Sequence, residues 1–88
     1  MVIVSSNEFN ASKIKTIIAA VVTSNLRLSQ SPGNFELSTK SSGLSRASVV
    51  NISQIITIDK LFLVSKVGKL TNKQNLLLNE GLKLVLAI

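Results

Sequence analysis

The sequence contains no histidine, cysteine, tyrosine or tryptophan, and these absences exclude several classes of site. Without thiols there is no disulfide framework and no thiolate metal site, and without imidazoles a common metal ligand and general base is missing. There is also no glycine-rich phosphate-binding loop. The four carboxylates lack the spacing of a metal-ligand set: Glu8, Glu36, Asp59 and Glu80. The sequence therefore predicts a protein without a metal or a cofactor.

Long apolar runs are also absent, although the chain as a whole is apolar. The longest run, Ile17 to Val22, has six residues, against the roughly 20 that a bilayer-spanning helix needs. The first residues have neither the basic nor the apolar segment of a signal peptide. We therefore expect a cytoplasmic protein that does not enter a membrane. Because 45% of the residues are hydrophobic, some apolar surface is expected to form a partner interface.

Acidic residues are scarce relative to basic ones. Ten lysines and arginines stand against four acids, which gives a formal net charge of +6. Such a surface attracts polyanions, because each phosphate that is neutralised releases counterions. It attracts acidic proteins for the same electrostatic reason. Charge alone leaves nucleic acid and an acidic protein as alternative partners.

The hydrophobic patterns predict a single domain over residues 1–88 that is mainly β with a C-terminal helix. Period-two and β-branched runs predict five short strands, at residues 1–4, 16–24, 35–40, 49–58 and 64–70. Thr71, followed three residues later by Gln74, predicts a capping box at the start of the helix. This order of elements favours an antiparallel, barrel-like sheet with the helix packed on it.

Two features of these elements give finer predictions. In the strand at 49–58 the even-numbered residues Val50, Ile52, Ile56 and Ile58 are apolar, which predicts that they share one face. Gly81 interrupts the C-terminal helix, where glycine costs about 1 kcal/mol relative to alanine. We therefore expect another part of the chain to approach Gly81 closely, or the burial of the helix to outweigh this cost.

Polar residues at the end of a buried strand form the candidate site. Thr23, Ser24 and Asn25 close the apolar strand at 16–24, where sites on rigid scaffolds often lie. Such residues also end strands for purely structural reasons. The basic residues in or beside the two following loops are Arg27, Lys40 and Arg46. We expect these side chains either to line a phosphate groove or to be solvated loop charges.

Phosphoryl chemistry in this chain would rest on lysine, arginine, hydroxyl, amide and acidic groups. RNA supplies its own nucleophile, the 2′-hydroxyl, so a metal-free site needs only a proton acceptor, a proton donor and cations on the phosphate. Asp59 is a weak candidate for the acid, because its position before a short helical turn predicts an N-cap.

Several short motifs follow one another along the chain. The first is Ser6–Asn10 after an apolar strand, and the second is Thr23-Ser24 at the end of the next long strand. The longest motif runs from residue 48 to residue 60, and residues 66–71 and the terminal helix follow it. In order and spacing, from the first residue to the end, these motifs resemble those of the MazF/PemK toxin family.

The resemblance implies an SH3-like antiparallel barrel, shared with the gyrase poison CcdB, and a homodimer. It implies an endoribonuclease toxin of a type II toxin–antitoxin system, which cleaves single-stranded RNA without a metal and is neutralised by an acidic antitoxin. Thr23 matches the catalytic threonine of the family. The same strand end and the two following loops supply the residues expected to bind RNA: Ser24, Asn25, Arg27, Lys40 and Arg46.

The sequence departs from the family pattern at three points. The family uses an arginine, in an Arg-Pro pair just before the strand that here begins at Met1, and this arginine has no counterpart. The preceding strand and its loop are also absent, so we expect an N-terminally shortened member. Family members often carry a basic residue where Ile56 stands. These differences leave open a catalytically impaired module that binds antitoxin or nucleic acid, and more weakly a CcdB-like action on gyrase.

Overall fold

The computed structural model describes residues 1–63 and 68–88. Its strands are β1 (Val2–Ile3), β2 (Thr16–Thr23), β3 (Phe35–Leu37) and β4 (Ser48–Asp59). Its helices are α1 (Asn7–Asn10), α2 (Thr39–Ser42) and α3 (Asn72–Leu86), and two 3₁₀ turns span Leu26–Gln30 and Lys60–Phe62. None of the helices in these two ranges has the length and apolar content that crossing a bilayer requires.

The four strands form one antiparallel sheet in the order β1-β2-β4-β3, curled into a half-barrel on which α3 packs. β2 lies between β1 and β4, and its residues Ile17, Ala19 and Ala20 are almost fully buried. A β-branched run is typical of a strand with a neighbour on each edge and cover on both faces. The mainly β fold with a C-terminal helix is therefore confirmed, and the strand predicted at 16–24 is β2, with a neighbour on each edge.

Two of the predicted strands differ in the structure. The alternation up to Leu37 is confirmed, since Phe35 and Leu37 are buried and Glu36 is exposed. Beyond Leu37 the prediction is wrong, because the chain turns into α2, where the Ser42 N–H donates to the Ser38 carbonyl at 3.1 Å. The strand predicted at 64–70 lies mostly outside the described residues, and residues 68–70 belong to no strand.

The long strand β4 contains an irregularity that the sequence pattern did not reveal. Ala20 and Val21 are consecutive in β2, but their partners in β4 are Ile55 and Asn51. Residues 52–54 therefore have no partner in β2. Because side chains alternate with a period of two, an odd number of inserted residues reverses which side chains face the core.

This reversal corrects one prediction. Val50 and Ile52 are fully buried in the core, whereas Ile56 is 40% exposed and pairs with Ala19 on the opposite face. After the inserted residues, Ile55 takes the core face. The strand predicted at 49–58 is confirmed, but the prediction that all four of its even-numbered apolar residues share one face is wrong.

The core lies between the sheet and α3. Its buried residues come from three strands and one helix position: Ala20, Phe35, Leu37, Val50, Ile52 and Leu78. Within α3 only Leu78 and Gly81 are buried. Much of the apolar surface of the helix is therefore exposed in the isolated chain.

A backbone contact explains the glycine in the middle of α3. A Cβ atom at position 81 would lie 2.5 Å from the Gly33 carbonyl oxygen and 3.2 Å from Ile52 Cγ1. Gly33 has a φ of +84°, in the left-handed region that favours glycine. The expected close approach to Gly81 is confirmed, and the approaching segment is the turn at residues 31–34.

α3 begins with the predicted capping box. Thr71 Oγ1 accepts the Gln74 N–H at 3.1 Å, and Gln74 Oε1 accepts the Thr71 N–H at 2.9 Å. We expect Thr71→Ala to lower the free energy of unfolding by about 0.5–2 kcal/mol, because one of these bonds is lost. Urea denaturation measures the change, and Thr71→Ser should retain most of the stability. An unchanged midpoint for Thr71→Ala would contradict the role of the cap.

Candidate functional site

One end of the sheet gathers the predicted site residues. Thr23, the last residue of β2, lies opposite Val49 near the start of β4. Leu37, the last residue of β3, lies opposite Ser48. Because these strands are antiparallel, the connection that leaves β2 and the connection from β3 to β4 emerge at the same end. We call this the Thr23 end of the sheet; it carries residues 23–25 and 38–47.

The predicted Thr23-Ser24-Asn25 segment forms a tight turn. Thr23 Oγ1 accepts the Asn25 N–H at 3.1 Å, and Asn25 Oδ1 accepts the Arg27 N–H at 3.3 Å. Asn25 thereby caps the Leu26–Gln30 turn. Thr23 is partly buried, whereas Ser24, Asn25 and Arg27 are exposed. The structure thus brings four of the six predicted site residues into one continuous segment.

The other two predicted residues come from the β3–β4 connection. Lys40 lies in α2, Arg46 lies just before β4, and both are exposed. The Arg46 carbonyl accepts the Ser48 hydroxyl at 3.1 Å, which ties Arg46 to the first residue of β4. Their place at the Thr23 end follows from the topology of the sheet. Their contact with RNA stays a prediction.

A carboxylate that sequence reasoning did not connect with the site lies on the same face as Thr23. Val49 pairs with Thr23 on one side and with Glu36 on the other. Residues directly opposite each other project to the same face of a sheet. Thr23 in β2 and Glu36 in β3 lie on either side of β4, so their backbones are two strand spacings, or about 10 Å, apart. This distance is too long for a direct hydrogen bond. Glu36 is exposed and adds one negative charge beside the three predicted cations.

Asp59 plays the structural role that the sequence favoured. Its Oδ1 accepts the Leu61 N–H at 2.9 Å and caps the Lys60–Phe62 turn. It lies opposite Thr16, at the other end of β2 from Thr23. The eight residues of β2 separate the two ends by about 23 Å. The prediction of an N-cap is confirmed, and Asp59 lies away from the candidate site.

The Ser6–Asn10 motif forms α1 and is held against β2. Ser6 Oγ accepts the Phe9 N–H at 3.2 Å and caps the helix. Asn10 Nδ2 donates to the Ser5 carbonyl at 3.1 Å, and Ser5 Oγ accepts the Ile18 N–H at 3.1 Å. The side chains of Ser6 and Asn10 therefore bond to the protein itself, which is a structural role.

A partly buried amide network joins the Leu26–Gln30 turn to β4. Asn34 Nδ2 donates to the Leu28 carbonyl at 2.8 Å and to Asn51 Oδ1 at 3.2 Å, and Asn34 Oδ1 accepts the Ile52 N–H at 2.8 Å. Asn51 is itself only 6% exposed. Its remaining bonds are to Ser53 Oγ and Gln54 Oε1, both at 2.8 Å.

Sequence reasoning missed this network. Asn34 follows Pro32-Gly33, a pattern typical of a turn, and Asn51 alternates with apolar residues as an outward-facing strand residue does. One signal was present, because asparagine is unfavourable in strands and Asn51 stands between Val50 and Ile52. An asparagine in that setting fits a buried hydrogen bond as well as an exposed side chain. The partner, 17 positions away in sequence, could not be inferred from the pattern.

Comparison with known proteins identifies the family. A family model described as PemK-like, MazF-like toxin of type II toxin-antitoxin system matches residues 1–86. Endoribonuclease MazF6 of Mycobacterium tuberculosis is 38% identical over 86 residues, which are 98% of this chain and 75% of that protein. Endoribonuclease EndoA of Bacillus subtilis is 31% identical over 87 residues, which are 99% of this chain and 75% of that protein.

The fold has a match among solved structures. The structure of Mycobacterium tuberculosis toxin MazF-mt6 superposes with a TM-score of 0.86 at 20% sequence identity, and the match covers 99% of this chain and 84% of that one. The chain therefore belongs to the PemK-like, MazF-like family of toxins of type II toxin–antitoxin systems. The family resemblance inferred from the motifs is confirmed.

Proposed function

We propose that this chain is a metal-independent, sequence-specific endoribonuclease toxin that cleaves single-stranded RNA in the cytoplasm. The 2′-oxygen of one nucleotide attacks the adjacent phosphorus, and the 5′-oxygen of the next nucleotide leaves. The 2′-hydroxyl gives up its proton to a base, and the leaving oxygen gains one, so the products are a 2′,3′-cyclic phosphate and a 5′-hydroxyl. Family membership and the names of the relatives support this activity.

The observation that carries the proposal is the setting of Thr23. The residue ends a rigid central strand, and its Oγ1 accepts the Asn25 N–H at 3.1 Å. A hydroxyl has one proton to donate besides its lone pairs. With the oxygen held by Asn25, that proton is available to a phosphate oxygen at the exposed Thr23 end. Arg27, on the same segment, would neutralise phosphate charge.

The partners proposed for the chain are an acidic antitoxin and a second copy of itself. The net charge of +6 favours an acidic partner. A homodimer is supported by uncovered apolar side chains within α3 and just after it, where Leu77, Leu84 and Ile88 are 42%, 63% and 80% exposed. An apolar helix face of this kind is typical of a surface that packs on another chain.

The test of the proposal is RNA cleavage by the purified chain in the presence of a metal chelator. The wild type should cut a long single-stranded RNA at a recurrent short sequence. Thr23→Ala should reduce the cleavage rate on the order of 10²-fold, because a hydrogen bond to the charged transition state is lost. A denaturing gel with end-labelled RNA measures the rate, and resistance of the new ends to phosphatase and ligase identifies the cyclic phosphate.

Two controls make this prediction specific to the site. Thr23→Ser keeps the hydroxyl and should retain most of the rate, whereas Ser29→Ala changes a hydroxyl within the neighbouring turn and should leave it unchanged. Equal cleavage by the wild type and Thr23→Ala would indicate a contaminating nuclease and count against the proposal. A folded wild type that cuts no RNA would contradict the activity outright.

One observation favours a second candidate function, a catalytically impaired module that binds antitoxin or nucleic acid. The Thr23–Asn25 hydrogen bond is also the bond of an ordinary strand-ending turn, which needs no chemistry. Under this alternative, a gel-shift assay would detect binding of RNA or of an acidic antitoxin, whereas the cleavage assay would detect no cut RNA. Cleavage that depends on Thr23 excludes it.

A further inference from the structure

We propose that Asn34 is a positioning residue of the RNA site. Through its side-chain amide it fixes the Leu26–Gln30 turn, and with it Arg27, at a set place relative to Thr23. The inference rests on the proposed function, because it concerns the same site. It adds a residue that determines affinity and specificity through Arg27 and makes no contact with RNA of its own.

On the β4 side, Asn34 supplies a partner for a buried backbone group. Ile52 has no partner in β2, because the residues of β4 that pair with β2 pass directly from Asn51 to Ile55. It has no partner in β3 either, because the pairing of β4 with β3 ends at Val50. Ile52 is fully buried, and a buried backbone N–H without a hydrogen-bond partner is costly. Asn34 Oδ1 accepts this N–H at 2.8 Å. The strand irregularity therefore creates a fixed anchoring point for Asn34.

A second bond fixes the orientation of the amide. Asn34 Nδ2 donates to Asn51 Oδ1, which also accepts the Ser53 hydroxyl, while Asn51 Nδ2 donates to Gln54 Oε1. The side-chain oxygen and nitrogen of both Asn34 and Asn51 thus have partners within β4 or the turn. A network in which each side-chain amide has its partners restricts the motion of its members, so Asn34 can hold the group that it binds on its other side.

On that other side, Asn34 Nδ2 holds the Leu28 carbonyl at 2.8 Å. Leu28 follows Arg27 directly, and the preceding side of the turn is held by Asn25, which bonds the Arg27 N–H and is itself bonded to Thr23. The backbone at Arg27 is therefore tied to both β2 and β4. Ordering it in advance lowers the entropy lost when its side chain binds a phosphate.

The first test measures the turn without RNA. Asn34→Asp keeps the acceptor for Ile52 and removes both donors, so the amide protons of residues 26–30 should exchange with solvent about tenfold faster, as expected for the loss of a buried hydrogen bond. Hydrogen exchange followed by NMR measures this rate. Asn79→Asp makes the same chemical change on the exposed side of α3 and should leave those amides unchanged.

The second test couples Asn34 to Arg27 in RNA binding. The probe is a single-stranded RNA with 2′-O-methyl groups, which lacks the nucleophile and stays intact. Arg27→Ala should lower the slope of log affinity against log salt by about one. In the Asn34→Asp background the same substitution should change the slope and the affinity much less, because Arg27 is no longer held in place. A purely stabilising role would give additive effects.

The outcomes separate the two proposals. Unchanged exchange at residues 26–30 in Asn34→Asp, or an undiminished effect of Arg27→Ala in that background, would overturn the positioning role alone. A folded wild type that does not bind the RNA would overturn the proposed function and, with it, the role of Asn34. Faster exchange together with non-additive binding effects supports both.

Discussion

Ile52→Ala is expected to lower the free energy of unfolding by about 2–5 kcal/mol. Ile52 is fully buried, and it packs in the core that joins the sheet to Leu78 of α3. Truncation leaves a cavity that the neighbours cannot close, because the Gly33–Gly81 contact already holds α3 at its closest approach. Since small domains have only about 5–15 kcal/mol of stability, the midpoint of urea unfolding should fall sharply.

The matched control is Ile56→Ala in the same strand. Ile56 is 40% exposed and lies on the face opposite to Ile52, so its truncation should cost clearly less. Ile52→Val, which removes a single carbon, should cost about 0.5–1.5 kcal/mol. If Ile56→Ala is as damaging as Ile52→Ala, then Ile56 is buried against a second chain, and the unfolding midpoint should then depend on protein concentration.

Gly81→Ala is expected to destabilise the protein by about 2–3 kcal/mol, although alanine is the better helix former. The new Cβ would lie 2.5 Å from the Gly33 carbonyl oxygen, a backbone atom that cannot move aside as a flexible side chain would. Either α3 must shift away from the core, or the turn at 31–34 must deform. Thermal and urea unfolding of the variant measure the loss.

The control for this prediction is Asn79→Ala in the same helix. Asn79 is exposed, so alanine there meets no backbone and should leave stability unchanged or slightly higher. If Gly81→Ala is likewise neutral, α3 does not approach the turn as the structure has it. Because Gly33 precedes Asn34, we also expect Gly81→Ala to weaken RNA binding at temperatures where the variant remains folded.

The candidate site is assembled from segments that are far apart in sequence. Thr23 comes from the end of β2, Lys40 and Arg46 come from the β3–β4 connection, and Arg27 lies in a turn that Asn34 ties to β4. The sheet holds Thr23 rigidly, and the side-chain amides of Asn25 and Asn34 hold the turn that carries Arg27. A site of this kind depends on the packing of the whole domain, so displacing a supporting segment, as Gly81→Ala would, should weaken RNA binding even in the folded protein.

The sequence by itself determined the class of fold and most of the local structure. The β-branched run at 16–24 requires cover on both faces, which makes it a central strand. Thr71 and Gln74 determine where α3 begins, and Asp59 caps the turn after β4, because a cap uses groups only a few residues apart. The glycine at position 81 indicated either a close contact or a burial of the helix that outweighs its cost, and the structure shows the close contact.

Only the tertiary structure decided which residues meet. The sequence could not reveal that Gly33 is the group that approaches Gly81, or that Asn34 replaces a strand partner for Ile52. It also could not reveal the three inserted residues of β4, because an apolar alternation looks the same whether or not the pairing slips. Contacts of this kind depend on the register and path of distant segments, which the core fixes collectively and no local pattern encodes.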